Sequence, residues 1–382
     1  MRELTIGKND AGQRLDRFVS KSLPLLPPAL LQKYIRLKRI KCNGARAQRD
    51  QRLQEGDVLQ LYINDEFFDK PREDNLFLTL FKPSLTIVYE DENLMLLDKR
   101  PGLVVHADET EKVNTLINHI QAYLYQKREW NPKWENAFTP ALCNRIDRNT
   151  GGIVIAAKNA ETLRIINEKI RDREMDKRYL CVTVGAPQPP KGRVEVFLVK
   201  DEKKKEVSVH TRPVPGGKTA VTTYETLERR GELALVEVGL ETGRTHQIRA
   251  TFAHMGCPLL GDGKYGRGDV NRRYGETRQA LYSYKLTFDF PTDAGILNYL
   301  RGRTFQVERV PFRETYFGYE KKLRRIRRPQ AANNLNYFLT RHVRGKKHFA
   351  RRECFFAHLW AEKRGSERFL FCQKGRSPFL TG

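Results

Sequence analysis

The segment CNRIDRNTGG, residues 143–152, sets one carboxylate, Asp147, between two guanidinium groups, Arg145 and Arg148, just ahead of an apolar run over 153–157. A carboxylate beside a guanidinium favours its charged form. An ionised Asp can hold an arginine, bind a ribose hydroxyl or attack an electrophilic carbon. A second stretch, LETGRTHQIRATFAHMGCPLLGDGKYG over 240–266, gathers Arg244, Thr245, His246, Gln247 and Arg249 between two apolar runs. A third, DKRYLCVTVG, places Tyr179 at the beginning of a strand-like run. Taken singly, each has a plain reading: an ion-paired turn for Asp147, a core ring for Tyr179, and for Arg249 a surface salt bridge contributing ~0–1 kcal/mol. There is no P-loop, no GxGxxG after a strand and no HExxH, which removes the commonest nucleotide and zinc sites. No GxSxG elbow is present either.

Three regions of different texture must position these residues. Residues 1–63 read as a small unit in which QRLDRFVSKSL puts Leu15, Phe18, Val19 and Leu23 on one helical face. A second amphipathic segment turns Leu30, Leu31, Tyr34 and Ile35 inward, while Lys33, Arg36, Lys38, Arg39 and Lys41 crowd its other face and its end. KCNGARA then supplies an Asn-Gly turn, and LQEGDVLQLYI a Gly-Asp turn leading into an alternating strand. Residues 64–85 mix acids, prolines and aromatics without a period and read as a linker that packs on its neighbour. From 86 to 318, TIVYED, LMLLDK, GIVIAAK, RYLCVTVG, ALVEVGLE and LYSYKLTFDF follow strand grammar. NAETLRIINEKIRDR reads as a helix, capped by Asn159, with Leu163, Ile166 and Ile170 on one face. Strands outnumber helices, so an α+β fold with a large mixed or mostly antiparallel sheet is expected.

Charge bounds the partner. Seventy Lys and Arg against 46 Asp and Glu give a net +24 over 382 residues, enough to expect a polyanion, with nucleic acid the default because neutralised phosphates release counterions. Residues 319–382 form a basic extension; from 321 onward it holds 17 Lys and Arg against three Glu, interleaved with Phe349, Phe355, Phe356, Leu359 and Trp360. It reads equally as an RNA clamp or a solvated tail. The six cysteines are scattered without a CxxC pair, which argues for reduced thiols. The spacing of Cys354, His358 and Cys372 is too irregular to suggest a metal site. No run approaches ~18 apolar residues, so a membrane span is not expected. MRELTIGKND has no basic-then-apolar leader pattern, so a cytoplasmic location is expected.

NRIDRNTGGIVIAAKN resembles the catalytic-Asp motif of the RluA-type pseudouridine synthases, usually H-R-L-D-R-D-T-S-G before an apolar strand. KRYLCVTVG is similar to their second motif, LETGRTHQIRATFAHMGCPLLGDGKYG to their third, RQALYSYKLTF to the strand that follows, and LDKRPGLVVHAD to the stretch before the Asp. Residues 1–63 resemble the small RNA-binding module that many of these enzymes share with a small-subunit ribosomal protein. The likeness covers residues 10 to 290, and several motifs in the expected order make it specific. It implies Asp147 as nucleophile, Tyr179 as the ring that stacks on the target uracil and helps remove its proton, and Arg249 as the partner of Asp147. Arg145 would take the place of the extruded base and Leu281 would be an apolar wall. Arg244, His246 and Gln247 would support the pocket and substrate; His106, in VVHAD, reads from its own context as a satisfied loop histidine near the site. Lys38, Arg39 and Lys41 would meet RNA phosphates.

The implied reaction isomerises uridine to pseudouridine in RNA, most readily ribosomal RNA of the large subunit with transfer RNA open, by a monomer that needs no cofactor and no metal. Asn144, Asn149 and Gly152 depart from the motif's His, second Asp and Ser, and leave sub-class and substrate open. A non-catalytic RNA-binding assembly factor is the alternative, and it predicts a damaged site. An Asp-nucleophile hydrolase is weaker, lacking a visible metal cluster or second carboxylate around Asp147.

Overall fold

The computed structural model describes residues 1–68 and 72–318, with side chains from 76 onward in the second stretch. The expectations for the 319–382 extension, including its aromatics and Cys354, His358 and Cys372, lie outside the described residues.

Residues 2–63 carry their own sheet and their own core. Arg2–Thr5, Val58–Leu61, Ile40–Cys42 and Ala45–Arg46 pair in that order, all antiparallel. The tight hairpin at Asn43-Gly44 takes φ of 51° and 78°, the left-handed pair that a two-residue turn requires. Helices Leu15–Ser22 and Pro28–Arg36 bury Leu15, Phe18, Val19, Leu31, Tyr34 and Ile35 against the core of this sheet. Burial of such side chains contributes ~1.5–3 kcal/mol each. The helical faces expected from the sequence are the ones found inside.

The remainder is built on an 11-stranded sheet. Nine strands lie in the spatial order Glu206–His210, Lys191–Asp201, Lys218–Arg230, Leu233–Leu240, Asp176–Val184, Leu281–Thr287, Gly151–Ala157, Leu94–Lys99 and Ile87–Glu90. Thr304–Gln306 and Ala141–Leu142 pair at the side. The pair Leu281–Thr287 and Gly151–Ala157 is parallel, and the other recorded pairings are antiparallel. The fold is α+β with a mixed, mostly antiparallel central sheet and a smaller N-terminal α/β element, as the strand-rich pattern implied.

Three strands at one end escaped the sequence reading. Lys191–Asp201, Glu206–His210 and Lys218–Arg230 alternate polar and apolar residues, such as Arg193 and Glu195 against Val194 and Val196. One solvated face is the signature of an antiparallel sheet, but it dilutes the apolar run that marks a buried strand. The segment expected to be a linker forms 3-10 turns at Asp65–Phe68 and Arg72–Thr79. Phe77 is 1% exposed and packs edge-on to Tyr125 and against Trp130, so this segment contributes to the core beneath helix Leu116–Gln126. Helix Ala160–Arg171 begins where expected, with the Asn159 side chain accepting from the Thr162 amide at 2.8 Å. Ile166 is fully buried with Ile170 packed against the same core, while Leu163 packs against the separate core beneath helix Leu116–Gln126.

The sheet register prepares the site. Gly152 pairs with Ser283, Ser283 with Tyr179, and Tyr179 with Val238, giving one row across four strands. Asp147 sits on the turn that feeds this row from the Gly152 end.

Candidate active site

The turn that carries Asp147 is pinned on several sides. Ile146 packs between two apolar cores, and the Thr150 amide donates to the Asp147 carbonyl at 3.0 Å. The Arg148 carbonyl accepts from the Gly102 amide at 2.8 Å and from Lys99 Nζ at 2.8 Å. Lys99 is 1% exposed, and its ammonium also donates to the carbonyls of Leu103 at 2.8 Å and Arg100 at 3.2 Å. Three acceptors match the three donors of an ammonium group. Burial pulls the Lys99 pKa down to about 7, with the charge of Asp147 opposing the shift.

Neither neighbouring arginine pairs with Asp147. Arg148 turns away and donates to Asp108 Oδ2 at 2.8 Å and to the Thr110 hydroxyl. Arg145 is exposed; desolvation of His106, and then Arg145, lower the pKa of that imidazole. The partner of Asp147 is Arg249, 102 residues away, whose NH1 donates to Asp147 Oδ2 at 2.9 Å. Arg249 lies in the first turn of helix Gln247–His254, with its side chain 8% exposed.

Arg249 is itself held from behind. Its Nε and NH2 donate to Asp262 Oδ2 and Oδ1 at 2.7 and 2.9 Å, a bidentate pair at a carboxylate with no exposed side-chain surface. Burial works against the Arg249 charge, but Asp262 and then Asp147 outweigh it and raise its pKa. Burial likewise works against the Asp262 carboxylate, and Arg249 with the Lys264 and Tyr265 amides holds its pKa below the usual range. A second carboxylate therefore does stand near Asp147, contrary to the sequence reading, but its two oxygens are occupied by protein donors. One guanidinium edge is locked to Asp262 and the remaining NH1 is aimed at Asp147.

His246 occupies the left-handed region at φ 53° immediately before this helix. Its Nδ1 is 2.9 Å from the Tyr265 hydroxyl and its Nε2 is 3.9 Å from Asp147 Oδ2. Burial lowers its pKa, with Asp147 opposing. The Tyr265 hydroxyl also accepts from the Val207 amide at 2.8 Å, and the Arg249 guanidinium lies 5.2 Å from the Tyr265 ring centroid. Lys264 Nζ donates to the Lys205 carbonyl at 2.5 Å, so the hairpin between Lys191–Asp201 and Glu206–His210 is tied to the wall of the site.

Tyr179 is 6% exposed and shares an apolar cluster with Cys181, Val238, Ile146 and Leu281. Burial pushes its phenol up to about 12, opposed by a hydrogen bond with Ser283. Leu281, 5% exposed, lies in the same cluster. The structure thus brings together Asp147, Tyr179, Arg249, His246 and Leu281. Gln247 is not free for a substrate: its Oε1 accepts from the Thr242 hydroxyl and the Arg244 amide, and its Nε2 donates to the Val221 carbonyl and the Thr222 hydroxyl. At 2% exposure it braces the loop from behind. Arg244 is exposed and donates through Nε to the Thr219 carbonyl at 3.1 Å, on the outer side of that loop. Lys38, Arg39 and Lys41 lie in the N-terminal element, with Arg39 over the Tyr34 ring and Lys41 over the Tyr62 ring.

Two departures in the motif acquire reasons. Asn144 accepts the Ile155 amide through Oδ1 at 2.8 Å and so splints the turn to the strand. Counting through the motif puts Gly151, not Gly152, in the serine position, which corrects the sequence reading. A Cβ on Gly151 would stand 2.3 Å from the Tyr282 ring, so that ring fills the space a serine needs. Gly152 has φ of 107°, and a Cβ there would meet the Ser283 carbonyl at 2.1 Å, so this position admits glycine alone.

Asp262, Lys99 and Tyr265 were missed from sequence. Asp262 and Tyr265 stand in GDGKYG and Lys99 in LDKRPG, all inside quoted stretches, but nothing local says that they converge on Asp147. Among the described residues no three of His, Cys, Asp or Glu cluster as metal ligands, and no helix is long and apolar enough to cross a membrane.

Residues 93–254 match the family model described as RNA pseudouridylate synthase. An uncharacterised RNA pseudouridine synthase of Mycoplasma genitalium is 31% identical over 290 residues, covering 74% of this chain and 88% of the relative. Ribosomal large subunit pseudouridine synthase D of Borreliella burgdorferi is 32% identical over 238 residues, covering 60% of this chain and 69% of the relative. The solved structure of human RNA pseudouridylate synthase domain containing 4 aligns with a TM-score of 0.46 at 23% identity, over 59% of this chain and 89% of that one.

Proposed function

This chain belongs to the family of RNA pseudouridine synthases, and on that premise we propose that Asp147 is the nucleophile that isomerises specific uridines, most readily in large-subunit ribosomal RNA. The observation that carries the reading is the geometry around that carboxylate. Asp147 Oδ2 is held by Arg249, which is fixed by Asp262, so Oδ1 is the oxygen left to meet a nucleotide. The side chain is 28% exposed, unlike the buried Asp262, and faces outward from a pinned turn.

The chemistry balances without an external reagent. The bond from C1′ to N1 breaks, the uracil turns in the site, a bond from C1′ to C5 forms, the C5 proton passes to water and N1 regains one. A paired base cannot do this inside a helix, so the uridine is extruded, at a cost of a few kcal/mol that stacking and pocket contacts offset. Tyr179 and Leu281 supply the apolar surface for the base. With its phenol pushed up to about 12, Tyr179 keeps its proton near neutral pH and serves through its ring. Arg145, exposed beside the turn, is placed to fill the gap the base leaves in the RNA. Lys38, Arg39 and Lys41 meet phosphates from the N-terminal element. The enzyme acts as a monomer in the cytoplasm.

The test is tritium release from RNA labelled at C5 of uridine, with ribosomal and transfer RNA lacking pseudouridine as parallel substrates. Wild type releases tritium from ribosomal RNA, and Asp147→Ala binds the same RNA but releases none. Salt-sensitive binding with no release by wild type from either RNA would replace this reading with a non-catalytic assembly role.

A further inference from the structure

The N-terminal element touches the catalytic part through side chains that reach across in both directions. Asn9 Nδ2 donates to Glu135 Oε1 at 2.8 Å, while its Oδ1 accepts the Ala160 amide at 3.3 Å, at the start of helix Ala160–Arg171. Asn136 Nδ2 donates to the Thr5 carbonyl at 2.8 Å and to Asp10 Oδ2 at 2.9 Å. Asp10 is 2% exposed, so this contact lies within the joint rather than on its rim. From that helix, Arg164 NH1 donates to the Ala11 carbonyl at 3.0 Å. Its guanidinium lies so close over Gly12 that a Cβ there would stand 2.2 Å from NH1, and Gly12 has φ of 74°. Ala137 packs against the apolar core of the N-terminal element.

A module that binds RNA on a loose tether needs none of this. Directional hydrogen bonds from both partners, a glycine that admits a guanidinium and a shared apolar contact specify one orientation. The same element presents Lys33, Arg36, Lys38, Arg39 and Arg46 exposed, with Lys41 half-buried beside them. None of the six ion-pairs with an acidic side chain among the described residues, whereas Arg14 and Arg49 of the same element both pair with Asp16. An unpaired basic face held at a fixed place on the catalytic part gives one polyanion a second anchor point besides the Asp147 site.

We propose that the N-terminal element is a docked ruler: the contacts of Asn9, Asn136 and Arg164 hold its unpaired basic face at one set offset from Asp147, so that the enzyme selects structured RNA meeting both surfaces at once. This rests on the RNA pseudouridine synthase reading and adds to it the class of substrate, a folded RNA with a second helical or loop element at a defined distance from the target uridine. A short stem-loop carrying only the target engages the cleft alone and gains nothing from the ruler.

The experiment uses the full chain and the double variant Asn136→Asp with Arg164→Glu. The first change sets a carboxylate against Asp10 and the Thr5 carbonyl, and the second sets one against the Ala11 carbonyl. Neither residue belongs to the catalytic constellation or to the basic face. X-ray scattering reads the docking, and tritium release reads activity on a long folded ribosomal RNA and on a short stem-loop with the same uridine. The expected result is a larger radius of gyration and a fall of at least about tenfold in kcat/KM on the long RNA, less than the ~10²–10⁴ a second linked contact can contribute because the undocked element stays tethered. Activity on the stem-loop stays at the wild-type value. The swap Asp10→Asn with Asn136→Asp, which restores a donor opposite an acceptor, recovers part of the long-RNA activity relative to Asn136→Asp alone. An unchanged radius overturns the dock. An enlarged radius with undiminished preference for the long RNA overturns the ruler, and so does an equal loss on both RNAs. If wild type modifies neither RNA the enzymatic reading fails, while the scattering result still decides the dock.

Discussion

Replacing Asp262 by asparagine probes the link between the fold and the Asp147 carboxylate. Asp262 accepts four hydrogen bonds, from Arg249 Nε and NH2 and from the Lys264 and Tyr265 amides, with no exposed side-chain surface. Asparagine keeps one acceptor oxygen, but its amide nitrogen faces donors, and Arg249 loses the charge that fixes it. Removing one partner of a buried ion pair costs ~3–5 kcal/mol. With an unfolding entropy of about 2.1 cal/mol/K per residue, each kcal/mol shifts the Tm of a 382-residue chain by roughly 1.2 °C, so a drop of about 4–6 °C is expected. The rate suffers separately. Arg249, freed on one edge, can rotate toward Asp147 and engage both of its oxygens, including the one left open for the nucleotide. One displaced charge-assisted hydrogen bond is worth ~1.5–3 kcal/mol, or about 10- to 100-fold in kcat. Initial rates of tritium release at saturating RNA, well below the variant's Tm, separate the two effects. A kcat within about twofold of wild type alongside the lowered Tm would refute the orienting role and leave Asp262 as support for the fold only. An unchanged Tm would refute the buried pair itself.

Two further outcomes follow from burial and backbone geometry. Gly152→Ala places a methyl group 2.1 Å from the Ser283 carbonyl at a φ of 107°, so loss of soluble protein or a fall in stability of more than ~3 kcal/mol is expected, read by thermal melting. Retention of wild-type Tm would mean that the Gly152–Ser283 pairing is not as described. Tyr179 ties stability to alkaline pH: its folded pKa is raised to about 12, so between about pH 10 and 12 the folded chain holds a proton that the unfolded chain has lost. Stability therefore falls as pH rises through that window, by on the order of 2 kcal/mol from this residue. Tyr179→Phe removes the dependence, so its Tm falls less than that of wild type from pH 9 to 11; parallel curves would refute the shift.

The sequence alone determined a good deal. Amphipathic periods in 15–23 and 30–35 have one way to hide their apolar face, and so fixed both helices of the small N-terminal element. Asn159 has a side chain suited to an exposed helix end, and the helix starts there. Chemically loaded residues in order along the chain, Asp147, Tyr179 and Arg249 within their motifs, carry the family resemblance on their own. These are properties of short windows, where covalent spacing fixes geometry. Patterns failed where one solvated face diluted the apolar signal, as in Lys191–Asp201 and Lys218–Arg230.

Only the tertiary structure decided who partners whom. The sequence offers Arg145 and Arg148 to Asp147, two and one residues away, yet adjacent side chains on a tight turn diverge, and Arg148 finds Asp108 instead. The true partner comes from a helix 102 residues later, fixed by an aspartate 13 residues beyond it. A buried charge settles where enough donors and acceptors converge to replace water, and that convergence depends on strand order and register, which no local window contains.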